Sequence, residues 1–300
     1  MQDLTTALAT MTLVSLAISL ASYRATRNTP AAHWLFGGLL LSALLFERLL
    51  ADRLFWAQLL PDSSATIVWS NATPLLLAAA FGVAMRICDL PQTGHRVAAG
   101  LTAILAVAAM VAPVVRPYAR PVETAQTEPL WSDGVCLQTQ DSTCGPAAAA
   151  TLLRFHHLWA TEATMNPLCL TGRDGTSSLG VYRGVYNVAN TTGYQPRAIC
   201  GSYDEFVQSG QFPAIVMVRY PEQRRDWKSK LLGTIGRRSG EGHVIVVFGP
   251  NAEGQLDVGD PAVGRSSWDV ETLKELWDGE AIYLQGGQRY AANAVNPSAT

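Results

Sequence analysis

Four residues of this sequence have the types that nucleophilic acyl transfer requires: Cys144, His243, Asp260 and Gln138. A thiolate attacks a carbonyl carbon. An imidazole takes the thiol proton and later hands it to the leaving amine, a carboxylate orients that imidazole, and a side-chain amide donates to the oxyanion. Each type also has an ordinary role: His243 as a satisfied core histidine, Asp260 before Pro261 as a turn cap, Gln138 as a solvated loop side chain. As an ordered set they point to cysteine-based cleavage of an amide or other acyl bond.

The elements around them place them. Cys144 is followed by Gly145, Pro146, four alanines, a threonine and two leucines. Proline suits the first helical turn and Ala and Leu are strong helix formers, so the run predicts a helix that begins at the cysteine. The positive end of its dipole favours a thiolate, the nucleophilic form. His243 opens a β-branched run, HVIVVF, and Asp260 follows a shorter strand over residues 255–259. With PNAEG as the turn, centred between Ala252 and Glu253, Asp260 falls opposite Ile245 and shares a face with His243, at a diagonal spacing of about 7–8 Å. A slip of one residue would put them on opposite faces. His156 and His157 lie at least twelve residues beyond Cys144 on the same predicted helix. That is about 18 Å along the axis, out of hydrogen-bond reach.

Between these motifs the chain shows turn chemistry at Arg173-Asp174-Gly175, a helix start at Thr176 to Ser178, a helix through about Ala189, a turn at Thr191 to Gly193 and a short strand. Residues 212–220 and 243–248 are apolar, β-branched and of strand length. Helices precede strands, which predicts an α+β domain with a helical part packed on an antiparallel sheet.

The 300 residues have room for two domains, and composition divides them. Residues 1–115 read as an α-helical membrane domain with about four transmembrane helices, at 4–23, 31–46, 66–85 and 97–115; three crossings is the competing count. The third is interrupted by Asn71 and Pro74. The second continues into ERLLADRLFWAQLL, whose charges recur at helical spacing and predict an amphipathic extension at the membrane surface. Basic residues divide four against four between the two sides. The first helix, with Asp3 before it and Arg24 and Arg27 after it, favours an outside N-terminus and an extracytoplasmic C-terminal domain, with a cytoplasmic domain as the alternative. Residues 116–134, with three prolines, read as a linker, 135–285 as the α+β domain, and 286–300 as a disordered tail.

A net charge of −2 without runs of like charge excludes nucleic acid as a partner. Five cysteines without CxxC spacing argue against a zinc cluster or a disulfide framework, leaving open one bridge among Cys136, Cys169 and Cys200.

The stretches QTQDSTCGPAAAATLL, GTSSLGVYRGVYNVANTTGY, GHVIVVFG and GDPAVG resemble the bacterial peptidases that remove double-glycine leaders from bacteriocins and related peptides, a papain-like family. The resemblance spans roughly residues 135–284. It implies Cys144 as nucleophile, His243 as general base and acid, Asp260 as orienting carboxylate and Gln138 as oxyanion-hole donor, with Gly145 beside the nucleophile. It further implies a papain-like fold and a peptide or small-protein substrate. No metal or organic cofactor is implied, because side chains suffice for the chemistry.

Three features depart from the family. Thr143 stands directly before the cysteine, where an acidic residue is common, and Asp141 is displaced. Residues 224–240 look like an insertion able to gate the cleft. The membrane segments precede the domain and no GxxxxGK[ST] motif occurs, so an ATP-driven exporter is expected only as a separate partner. A catalytically silent substrate-binding module, and an amidase or acyltransferase using the same triad, remain the competing readings.

Overall fold

The computed structural model describes residues 2–27, 31–60, 62–87, 92–122, 129–220 and 241–286. Cys88, the inserted segment at 224–240 and residues 287–300 of the expected tail lie outside them. The chain forms two compact units, one within 1–52 and 65–116, the other within 53–64, 117–225 and 238–300.

The first unit is helical: α1 (Gln2–Ala25), α2 (Ala32–Leu49), α4 (Thr66–Trp69), α5 (Thr73–Ala84) and α6 (Gln92–Ala119). Among the described residues, four helices are long and apolar enough to cross a membrane, counting Thr66–Ala84, broken between α4 and α5, as one. At the break Asn71 stands in for the missing helical bonds, donating to the Ala109 carbonyl at 2.9 Å and accepting from the Thr73 N–H at 3.2 Å. Small residues let α1 and α5 approach closely. Ser19 Oγ donates to the Ala78 carbonyl at 2.9 Å, and a Cβ on Gly82 would collide with the Ser19 carbonyl oxygen. Leu13, Leu16, Leu41, Ile104 and Val107 are more than half exposed.

The expected amphipathic extension of α2 does not form. The helix ends at Leu49, Asp52 takes a left-handed conformation (φ 59°), and a one-turn helix, α3 (Trp56–Leu59), follows. Long-range bonds decide this, because the segment 53–64 belongs to the second unit. The Leu54 N–H donates to Glu280 Oε1 at 2.8 Å, Gln58 Nε2 to the Ala198 carbonyl at 3.0 Å, and Arg197 pairs with Asp62 at 2.8 Å. The Tyr186 hydroxyl adds a bond to the Asp62 carbonyl at 3.3 Å.

The second unit is the expected α+β domain. The stretch read as a linker is partly structured: α6 runs to Ala119, and strands β1 (Trp131–Ser132) and β2 (Val135–Cys136) form a hairpin across Asp133-Gly134, both at positive φ as a type I′ turn requires. Three helices follow: α7 (Cys144–Phe155), α8 (Glu162–Leu168) and α9 (Ser178–Ala189), the last capped by Ser177 Oγ on the Gly180 N–H. Strands β3 (Tyr194–Cys200), β4 (Ala214–Tyr220), β5 (Glu241–Pro250), β6 (Leu256–Asp260), β7 (Gly264–Trp268) and β8 (Trp277–Gly286) make one sheet in the order β3-β8-β4-β5-β6-β7, every neighbour antiparallel. Helix α10 (Tyr203–Ser209) and a helix at Val270–Leu276 are inserted among the strands.

β4 and β5 lie in the interior of the sheet and are buried on both faces, which is why AIVMV and VIVV read as continuous apolar runs rather than alternating ones. Val216, Val218, Ile245, Val247 and Val258 join Phe206, Leu273 and Trp277 in one core cluster. The edges are more polar. β3 carries Pro196 and β7 reads GRSSW.

Candidate active site

α7 begins at Cys144, as its sequence predicts, and residues 145–153 are buried. The alanine run lets the helix lie close to its neighbours. The second position is tight: a Cβ on Gly145 would stand 3.0 Å from Val181 Cγ2 and 3.1 Å from Thr176 Cβ, so a larger residue would need those side chains to give way. Thr143, where the family often carries an acid, is fully buried. Its hydroxyl donates to the Gln140 carbonyl at 2.8 Å and accepts from the Gln140 N–H at 3.2 Å, closing the turn that leads into the helix. Asp141 is exposed.

His243 lies on β5 and Asp260 ends β6. Gly259 pairs with Val246, so continuing that register sets Asp260 across from Ile245, with His243 on the same face. The register at the loop end differs by one residue, where Pro250 pairs with Leu256, and an irregularity between Val247 and Gly249 restores it. His243 Nε2 and Asp260 Oδ1 stand 2.7 Å apart, and Oδ1 also accepts from the Ala262 N–H at 2.8 Å. The Cys144 side chain also hydrogen-bonds to the His243 ring.

Charge follows from this geometry. Burial disfavours the imidazolium, but the hydrogen bonds to Asp260 and Cys144 and the electrostatic attraction of both groups lift His243 from 6.5 to about 9. Burial also opposes ionisation of Asp260, yet the bonds from His243 and the Ala262 N–H and the imidazolium charge hold its carboxyl below the usual 3.8. Tyr220 places its ring 6.0 Å from the imidazole.

The other described cysteines are free thiols, so no bridge joins Cys136, Cys169 and Cys200. Burial pushes Cys136 up to about 11 and Cys169 and Cys200 up to about 12, which keeps them neutral. His156, at the C-terminal end of α7, packs edge-on against Tyr194, and burial lowers its pKa.

Gln138 is joined to this group through its backbone, its N–H donating to the Pro261 carbonyl at 2.8 Å, one residue past Asp260. Its Oε1 is buried and has no hydrogen-bond partner among the described residues. The next residue, Thr139, donates both its N–H (2.8 Å) and its hydroxyl (3.1 Å) to Oε1 of Glu162 on α8. Nothing local in the sequence marks Glu162 or Tyr220 as part of the site, since both arrive through tertiary contacts.

A model of the peptidase C39 family matches residues 133–288, more than half of the chain. The chain belongs to that family. As a C39 peptidase it is a cysteine peptidase, and its Cys144 side chain is hydrogen-bonded to His243.

Among solved structures, the peptidase domain of Streptococcus ComA, a bi-functional ABC transporter of a quorum-sensing pathway, is 26% identical; the match covers 50% of this chain and 96% of that one, at a TM-score of 0.39. A double glycine motif protease from an AMS/PCAT transporter, solved with its leader peptide, is 18% identical over 56% of this chain and 99% of that one, at a TM-score of 0.39. The peptidase C39-like domain of a toxin secretion ATP-binding protein from Vibrio parahaemolyticus is 15% identical over 50% and 100%, at 0.33. No curated protein matches.

Proposed function

We propose that this C39 peptidase is anchored in a membrane by its four apolar helices and cleaves a peptide or small protein of the double-glycine leader type through Cys144, His243 and Asp260, with Gln138 donating to the oxyanion. The observation that carries this reading is the 2.7 Å contact between His243 Nε2 and Asp260 Oδ1, with the Cys144 side chain hydrogen-bonded to the same ring. The thiolate attacks the scissile carbonyl, and the Gln138 amide and the Cys144 N–H at the start of α7 receive the oxyanion. Nδ1–H protonates the leaving amine as the C–N bond breaks. Water, deprotonated by Nδ1, then hydrolyses the thioester. Cleavage of a Gly-Gly-containing leader peptide by the full chain in detergent micelles tests the reading. Binding without cleavage would support a silent binding module, and turnover of simple amides but not peptides would support the amidase alternative.

The strap formed by residues 53–64 bears on topology. It precedes two of the four apolar helices and is part of the peptidase unit, which follows both. Strap and peptidase therefore share one side of the membrane, and the chain crosses an even number of times between them. Leu59 and Val263 are exposed. In a Cys144→Ala background, Leu59→Cys and Val263→Cys should be labelled by a membrane-impermeant maleimide from the same side, and Arg27→Cys from the other. Labelling of Leu59→Cys and Val263→Cys from opposite sides would sink the four-crossing arrangement.

A further inference from the structure

We infer that Glu162 is a positioning residue for acyl transfer, acting through the loop that carries Gln138; the inference rests on the reading of Gln138 as oxyanion donor. Glu162 is 4% exposed, so its carboxylate is held out of water and must be occupied by protein donors. One oxygen takes both donors of Thr139, at 2.8 Å and 3.1 Å. Charge-assisted bonds of this kind are short and stiff.

The loop is pinned along its whole length. The Cys136 N–H donates to Thr151 Oγ1 on α7 at 2.9 Å, Leu137 to the Leu130 carbonyl at 2.9 Å, and Gln138 to the Pro261 carbonyl at 2.8 Å. Thr139 goes to Glu162 on α8, and Gln140 to Thr143 immediately before the nucleophile. Gln138 is thus clamped between the turn that follows Asp260 and the carboxylate of Glu162. An oxyanion donor is worth most when it is held in place before charge develops, and a displacement of about 1 Å costs on the order of 10²-fold. Among the anchors of this loop, Glu162 is the one that supplies a charge.

Two reactions of the full chain in detergent micelles separate this role from a merely structural one. p-Nitrophenyl acetate acylates Cys144 through a tetrahedral oxyanion: the S–C bond forms and p-nitrophenolate leaves with the C–O electron pair. Iodoacetamide alkylates the same sulfur by displacing iodide at a saturated carbon, and develops no oxyanion.

Glu162→Ala is expected to slow acylation by about 10–100-fold, short of the ~10²–10³-fold expected for losing the donor outright. Alkylation should keep its wild-type rate. Glu162→Gln, whose amide oxygen still accepts from Thr139, should recover most of the acylation rate. In a Gln138→Ala background Glu162→Ala should cost nothing further, because the donor it positions is gone.

A parallel fall in acylation and alkylation would overturn the inference, as would an undiminished effect in the Gln138→Ala background. If Gln138→Ala itself acylates at the wild-type rate, the oxyanion assignment falls and the inference with it. If Gln138→Ala slows acylation and Glu162→Ala does not, the inference falls alone. Should Glu162→Ala fail to fold, Thr139→Val, which removes only the hydroxyl donor, must slow acylation by a smaller factor without touching alkylation; no change would refute the role.

Discussion

The full-length protein carrying Cys144→Ala is expected to lose peptide cleavage by on the order of 10⁴-fold or more, with folding intact. The loss should be near-total because no second thiol among the described residues can take over. Cys136 and Cys169 are buried, Cys200 is half-buried, and all three are held as neutral thiols by desolvation. The substitution should be well tolerated structurally, since Cys144 begins a helix whose following turns are already alanine. Comparing leader-peptide cleavage by wild type and variant, with iodoacetamide labelling mapped by mass spectrometry, checks both halves: the label on residue 144 disappears together with activity. Cleavage that survives the substitution would remove Cys144 from the chemistry. Unchanged peptide binding by the variant would separate recognition from bond breaking.

The part of the site that could be read from sequence is the part built by local rules. Gly145, Pro146 and the alanine run fix where α7 begins, and period-2 alternation brings His243 and Asp260 to one face of a hairpin. The hairpin has a loop one residue off the simple count, closed by the Asn251 N–H on the Gln255 carbonyl, and the irregularity near Phe248 cancels the offset before the strand reaches Asp260. Strand β7 was not legible because GRSSW lacks an apolar run, being an edge strand paired on one side.

The strap departs from its local sequence signal for a different reason. ERLLADRLFWAQLL has helical charge spacing, but the Leu54 N–H, Gln58 and Asp62 are bound by Glu280, Ala198 and Arg197, partners at least 135 residues away, and local propensity yields to those bonds. Glu162 was invisible in the same way. A carboxylate in the first turn of a helix normally reads as a dipole partner in solvent, and here it turns inward onto Thr139.

Asp260→Asn is expected to move the alkaline limb of the pH–rate profile downward from near pH 9. In the wild type the imidazolium persists to about pH 9, against 6.5 for a free imidazole, because its hydrogen bonds and attraction to Asp260 and Cys144 outweigh its burial. Above that pH, His243 loses the proton that the proposed mechanism hands to the leaving amine, so cleavage should fall on the alkaline side of about 9. Asparagine keeps the shape of the carboxylate, and its Oδ1 can still accept from both Nε2–H and the Ala262 N–H, so the substitution isolates the charge. Each unit by which the limb drops is about a tenfold loss of imidazolium at a fixed pH above it. Asp260→Ala removes the orienting bond as well and should approach the ~10⁴-fold loss seen when the third member of a triad fails to hold its histidine.

Stability should follow the same two groups. The raised His243 value contributes stability that is complete below about pH 6.5 and is lost as pH climbs to about 9, while the depressed Asp260 value contributes stability present above 3.8 and lost as pH falls below it. Wild type should therefore exceed Asp260→Asn in unfolding temperature by most between about pH 3.8 and 6.5, with the gap closing toward pH 9. An alkaline limb that stays near pH 9 in Asp260→Asn would show that the carboxylate does not set the charge on His243, and the gap in unfolding temperature should then be flat across the same range.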